Sequence, residues 1–358
     1  MNPFIYNAQP GRVIFGAGSF SQIRDEAVSM GVSRVLVLCT QQQRSLADQA
    51  VEYLGERAVG IHDKAVMHVP VESAQDGVDR AREMGADACL AVGGGSTIGL
   101  GKAIALETGL PLIVVATTYS GSEMTPIWGL TENGVKKTGR DPRVLPRAVI
   151  YDPQLTIGLP VGISAASGMN AIAHAVEALY AENANPVISL MAEEGIKALA
   201  ESLPLVVASP SDIDARGMAL YGSWLCGTCL GSVGMALHHK LCHTLGGSFD
   251  LPHAEVHTVI IPHATAYNRD AAPEAMMRIA RALNADEAAL GLYELTKSIG
   301  APMSLQAIGM READINEAAD IASRNPYYNP KPVTRDGIRA LLENAYRGLS
   351  PSAPTIKD

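Results

Sequence analysis

Asn170 and His174 stand four residues apart in SGMNAIAHAVEALY and so share one helix face. His239 and His243 repeat that spacing in MALHHKLCHTLGG, with His238 beside them. His253 follows the segment SFDLPH, fourteen residues after His239, with Pro252 placed to start its helix. Imidazoles exchange protons near neutral pH, donate hydrogen bonds to developing charge and ligate metals. A lone histidine on an apolar face is ordinarily a satisfied core residue. Several at helix-face spacing around one loop point instead to a catalytic site.

A second chemistry lies in LAVGGGSTIGLGKAIAL, where Gly93, Gly94 and Gly95 fall between an apolar run and a helical pattern. Glycines let the backbone approach a diphosphate, and the helix N-terminus offers unbonded N–H groups and the positive end of its dipole. Ser96 adds a hydroxyl. The spacing is neither that of a P-loop nor the GxGxxG of a first strand–helix turn. Taken alone, such a turn reads equally as a tight connection. Two other loops favour the nucleotide. TTYSGSEMT follows the next apolar run and supplies Thr117, Thr118 and Ser122, and Gly16-Ala17-Gly18-Ser19 follows another. In a parallel sheet such loops emerge at one carboxyl edge, where ligands bind. The run RVLVLCT ends in Cys39-Thr40-Gln41, so Cys39 stands where an acidic residue would grip the adenine ribose. Without that carboxylate a 2′-phosphate is not repelled, and both NADH and NADPH are expected to bind.

These residues need two kinds of scaffold. RVIFG, RVLVLCT, ACLAVGGG, PLIVVATT and RAVIYD read as buried strands alternating with helical patterns such as SAQDGVDRAREMGA. That alternation predicts a parallel sheet with helices on both faces. After Pro153 the β-branched runs give way to long Ala-, Leu- and Met-rich stretches, with Pro160, Pro204, Pro210, Pro252 and Pro262 read as starts and stops. The expected division is an α/β nucleotide-binding domain over residues 1–155 and an all-helical domain with the histidines over 156–358.

Composition narrows the partners. The 358 residues are 47% hydrophobic and 18% charged, the balance of a chain with a large core. A net charge of −9 speaks against nucleic acid and anionic membranes, and leaves an anionic substrate only where cations are local. No apolar run reaches membrane-spanning length and the start lacks a signal-peptide pattern, so a cytoplasmic enzyme is expected. Five cysteines suit a reducing compartment. Cys226 and Cys229 have the CxxC spacing but sit in an apolar helical stretch without a second pair, and read as buried thiols.

GMNAIAHAVEA, HHKLCHTLGGSFDLPHAEVHTVIIPH and GGGSTIGLGKA together resemble the iron-containing alcohol dehydrogenase superfamily across nearly the whole chain. The resemblance implies a Rossmann-like N-terminal domain, a helical C-terminal domain of the dehydroquinate synthase-like architecture, and a homodimer. In that family one aspartate and three histidines hold the metal. The histidines fall on His174, His239 and His253, a further histidine near the nicotinamide falls on His243, and the aspartate position is Asn170. The family's GGGSxxDxxK also departs, with Gly99 in place of the aspartate. Losing the anionic ligand lowers affinity for any divalent metal. These departures look like the branch that reduces maleylacetate to 3-oxoadipate with NADH or NADPH and no catalytic metal.

On that reading His243 donates the proton, while His239, His174 and His253 donate hydrogen bonds or orient. Asn170 lies with them among the substrate-binding residues. A dianionic substrate requires cations, and KKTGRDPR supplies Lys136, Lys137, Arg140 and Arg143, with His238 as a further candidate. A solvated basic loop explains those cations equally well. NPYYNPKP is either a lid or an ordinary connection. Alternative readings are a metal-dependent primary alcohol or polyol dehydrogenase, a dehydroquinate synthase-like lyase, and a non-catalytic nucleotide-binding relative.

Overall fold

Four-residue runs as apolar as Val35–Leu38, with every side chain buried, fit only the interior of a sheet covered on both faces. The computed structural model describes residues 4–8, 11–132 and 135–351, apart from the side chains of Val135 and Lys136. The described residues between Ala8 and Leu159 form one compact unit, and those from Pro160 to Pro351, with the described residues before Ala8, form another.

In the first unit the strands are β1 (Arg12–Phe15), β2 (Val35–Leu38), β3 (Ala58–His62), β4 (Ala88–Gly93), β5 (Leu112–Ala116), β6 (Ile127–Glu132), β7 (Val135–Arg140) and β8 (Ala148–Tyr151). The helices are α1 (Ile23–Ser29), α2 (Arg44–Leu54), α3 (Val71–Glu83) and α4 (Gly95–Thr108). Six strands make one all-parallel sheet in the order β1-β8-β5-β4-β2-β3. From β2 the chain steps outward to β3, then returns to the other side of β2 for β4 and β5. The direction therefore reverses between β2 and β4. In open α/β sheets the ligand crevice lies at the carboxyl ends of the strands flanking such a reversal.

Two features depart from the sequence reading. Strand β3, AVGIH, lies at the sheet edge with most side chains only partly buried, so it needs no continuous apolar run. The stretch KKTGR is no loop: it belongs to β7, which pairs antiparallel with β6 from Ile127↔Arg140 to Glu132↔Val135.

The second unit contains α5 (Val161–Leu179), α6 (Pro186–Ala208), α7 (Ile213–Ser232), α8 (Leu237–Phe249), α9 (His253–Asn268), α10 (Pro273–Ala282), α11 (Ala288–Ser298), α12 (Ile315–Ser323) and α13 (Arg335–Arg347). Its described residues include no strand. Every residue of α5 from Ser164 onward is buried, so this helix runs through the core, and a polar side chain on it needs a partner. Pro160 and Pro252 precede α5 and α9, but Pro204 and Pro262 lie inside α6 and α9. Each interior proline forgoes one helix hydrogen bond, a local loss that packing on both sides offsets. Among the described residues no single helix is long and apolar enough to cross a membrane.

Candidate active site

At the reversal point, β4 ends in Gly93 and α4 begins at Gly95, with Gly94 as its cap residue. A Cβ on Gly94 would lie 2.6 Å from the Thr118 methyl, and one on Gly93 2.4 Å from the Thr97 hydroxyl oxygen, so both positions require glycine. A Cβ on Gly95 would meet nothing within 4 Å. The N-terminus of α4 thus opens onto unfilled space lined by Gly95 and Ser96, the arrangement that accepts a diphosphate. The Gln43 amide donates to the Thr117 hydroxyl at 2.7 Å, tying the loop after β2 to the loop after β5 across the reversal. Lys102 on α4, fully buried, donates to the Ser122 and Ile127 carbonyls and the Thr125 hydroxyl, which holds the TTYSGSEMT loop in place.

Two expected contributors sit elsewhere. Cys39 is fully buried, its amide donates to the His62 carbonyl and its carbonyl accepts from Ala65, so it offers nothing to a ribose. Burial also pushes its thiol up to about 11. Gln43, one turn later, occupies the edge instead. The loop Gly16–Ser19 follows β1, which β8 separates from β5, and its Gly16 amide and Ser19 hydroxyl bond to the Tyr151 carbonyl. That loop ties β1 to β8.

The helical unit gathers the imidazoles. His174 Nδ1 and His239 Nε2 are 2.9 Å apart, and both rings are almost completely buried. His243, one turn along α8, and His253, at the first turn of α9, are partly exposed. Asp250 ends α8 in the left-handed conformation and Pro252 caps α9, so the short link brings the two helices' histidines together. His238 is wholly buried with Nε2 at 2.9 Å from His257 Nδ1, so it cannot reach a substrate carboxylate as expected. Lys137 bonds to Glu132 and Arg143 to Asp141, so two of the four expected cations already hold carboxylates. Arg140 lies on β7, and the side chain of Lys136 is outside the described residues.

Three contributors escaped the sequence reading. Glu177 lies three residues after His174, on the same face of α5 as Asn170 and His174. Its carboxylate accepts from the amides of Ala236 and His238 at 2.7 Å each and from His239 Nδ1 at 2.7 Å. The first turn of α8 has no side-chain cap of its own. Glu177 therefore caps α8 from another helix and fixes which His239 nitrogen carries the proton. Burial pushes its carboxyl up to about 7, against the amides that favour the charged form. His257, one turn beyond His253, packs its ring against His174, His238, His239 and His253. Tyr327 donates to or accepts from His243 Nδ1 at 3.0 Å. The spacing 170–174–177 and 253–257 is the available signal for the first two; Tyr327 lies in NPYYNPKP, the segment read as either a lid or a connection, where no spacing marks it.

The donor set for a divalent metal, His174, His239, His253 and Asn170, contains no carboxylate. The Asn170 carbonyl oxygen is buried with no hydrogen-bond partner among the described residues. An amide oxygen is a far weaker donor than a carboxylate, and Glu177 is already engaged one shell out, so the set does not fit the family's iron site. His238, Cys242 and His257 also bring ligand atoms within 4.8 Å of one another. However, the outer nitrogens of His238 and His257 have no hydrogen-bond partner among the described residues, whereas a ligating imidazole ordinarily passes its second N–H to a carboxylate or carbonyl. That trio reads as a hydrogen-bonded stack.

Buried neutral histidines make the helical unit acid-sensitive. Burial lowers His263 from 6.5 to about 4, so the unfolded chain binds more protons than the folded one between those values. Stability therefore falls as pH drops from 6.5 towards 4, by about 3 kcal/mol for this residue alone. Denaturant titrations across that range are expected to lose part of this slope in His263→Gln; an unchanged slope would assign the acid sensitivity elsewhere.

A model of the family described as iron-containing alcohol dehydrogenase matches residues 10–153, and one described as Fe-containing alcohol dehydrogenase family, C-terminal, matches residues 164–346. The chain is 57% identical to a maleylacetate reductase of Burkholderia cepacia, covering 98% of this chain and 100% of that one. It is 56% identical to a maleylacetate reductase of Sphingobium indicum, covering 97% and 99%. The crystal structure of maleylacetate reductase from Rhizobium sp. strain MTP-10005 superposes with a TM-score of 0.95 at 52% identity, over 98% of this chain and all of that one.

Proposed function

Because the chain belongs to the iron-containing alcohol dehydrogenase family, we infer that it is a nicotinamide-dependent oxidoreductase that reduces the activated carbon–carbon double bond of maleylacetate, giving 3-oxoadipate. Full-length identity to relatives of that name supports the substrate. Asn170 is the observation that carries the finer reading, a reaction run without a catalytic metal.

Gly93, Gly94, Gly95 and Ser96 would hold the diphosphate of a reduced nicotinamide, which when bound would supply a hydride to the alkene carbon adjacent to the carboxylate. The electron pair of the double bond then moves towards the ketone, whose oxygen becomes an enolate. His243, partly exposed on α8, gives its proton to the carbon next to that ketone. His253 and the Asn170 amide N–H group meet the developing oxyanion, as positioned donors do in other carbonyl chemistry. His239 has one nitrogen on Glu177 and the other on His174, so it orients and does not donate. A Lewis acid is dispensable here because the conjugated ketone already accepts the charge. Lys240, within one turn of His243 on α8, is the nearby cation for a substrate carboxylate. The neutral Gln43 amide at that edge does not repel a 2′-phosphate, so both NADH and NADPH are expected to serve.

The test is NADH and NADPH oxidation with maleylacetate, before and after exhaustive chelation, with bound metal counted. Turnover is expected to survive chelation unchanged. Loss restored only by iron or zinc would overturn the metal-free reading. The complementary variant, Asn170→Asp, restores an anionic ligand among three imidazoles. It is expected to bind about one equivalent of divalent metal that the unaltered protein does not retain after dialysis.

A further inference from the structure

The segment joining α12 to α13 is irregular yet firmly fastened. Asn329 exchanges two side-chain hydrogen bonds with the buried Asn268, at 2.7 and 2.9 Å, and also donates to the Lys331 carbonyl. The Tyr267 hydroxyl donates to the Pro332 carbonyl, and Lys331 sits 4.4 Å over the Tyr267 ring. Asn325 opens the segment at φ +50°, a left-handed conformation that asparagine tolerates better than most residues. Asn268 is the last residue of α9, whose first residue is His253. One helix thus presents a site histidine at its start and anchors this segment at its end.

None of those fastenings uses Tyr327. Its ring is 38% exposed, and its hydroxyl lies 3.0 Å from His243 Nδ1 with the two rings steeply inclined. The Lys240 ammonium lies 5.7 Å over the same ring. Burial raises the phenol above its ordinary value, so the hydroxyl keeps its proton and can donate. A phenol donating to Nδ1 leaves the imidazole proton on Nε2 and fixes the ring's orientation.

We propose that Tyr327 is a positioning residue for the proton donor: its hydroxyl donates to Nδ1 of the neutral His243 ring and accepts from Nδ1–H of the imidazolium, the form that gives up its Nε2 proton. The proposal rests on the reductase reading, in which His243 protonates the enolate carbon. Tyr327 itself neither gains nor loses a proton over the cycle. It acts through His243, as the carboxylate does in a catalytic triad.

Tyr327→Phe removes only the hydroxyl and leaves the Asn268 and Tyr267 anchors in place. It is expected to lower kcat about tenfold, leave KM for NADH within twofold, and raise the solvent deuterium isotope effect on kcat as proton transfer becomes slower. In a His243→Asn background the same change is expected to cost nothing more, since its only route of action is gone. A kcat within twofold of the unaltered protein, or an equal loss in both backgrounds, would overturn the proposal. Nitrogen-15 spectra of labelled histidine read the tautomer without any substrate: His243 should be the Nε2–H form, becoming mixed in Tyr327→Phe. A spectrum unmoved by that substitution overturns the proposal even if maleylacetate proves not to be the substrate.

Discussion

His243→Asn is expected to reduce kcat for maleylacetate by about 10²–10³, the usual contribution of a positioned general acid. The size follows from how the other imidazoles are committed. His239 shares its two nitrogens between Glu177 and His174, and His238 and His257 are wholly buried and bonded to each other. Burial also drives His239 down to about 3, which keeps it neutral and unable to serve as a replacement acid. His243 is one turn away on the same helix and partly exposed. NADH binding, measured by fluorescence titration, should change little, because the diphosphate is held at Gly93–Ser96, which the substitution leaves unaltered. A loss of less than threefold in kcat would move the proton donor elsewhere, with His253 next in line.

Glu177→Ala is expected to damage both fold and turnover. The carboxylate has no exposed surface and satisfies two amides of the first turn of α8 together with the His239 ring. Removing it leaves those donors buried without a partner and withdraws the negative charge from a helix N-terminus. Losses of this kind cost on the order of 3–5 kcal/mol. Chemical denaturation should show that loss, and hydrogen exchange should place it in α8. The surviving folded fraction should turn over at least tenfold more slowly, since His239 no longer has a fixed tautomer. If Glu177→Ala melted like the unaltered protein, the capping of α8 by a neighbouring helix would be wrong.

Much of this was legible in the chain. The glycine turn announced itself because close backbone approach excludes every other residue, a local requirement visible at Gly93 and Gly94. The shared faces of α5, α8 and α9 followed from a spacing of four, which holds wherever a helix forms. That Asn170 stands in the place of an acidic ligand came from the resemblance to the iron-containing alcohol dehydrogenases, and spacing alone does not show it. By contrast, β3 was missed because an edge strand needs little apolar surface. The basic run at Lys137 reads equally as available charge or as a solvated loop; in the hairpin Lys137 holds Glu132.

What the sequence determined by itself is which groups are candidates for chemistry: glycines at a strand–helix junction and imidazoles at helical spacing. Only the tertiary structure decided which of those groups can act. Glu177 and His239 are sixty-two residues apart, and His243 and Tyr327 eighty-four. A hydrogen bond between such positions sets a tautomer and an orientation, yet leaves no local pattern in the chain. Burial does the same sorting, placing Cys39 and His238 beyond any ligand while leaving His243 and His253 within reach, because exposure is a property of how helices and strands pack and not of the residues themselves.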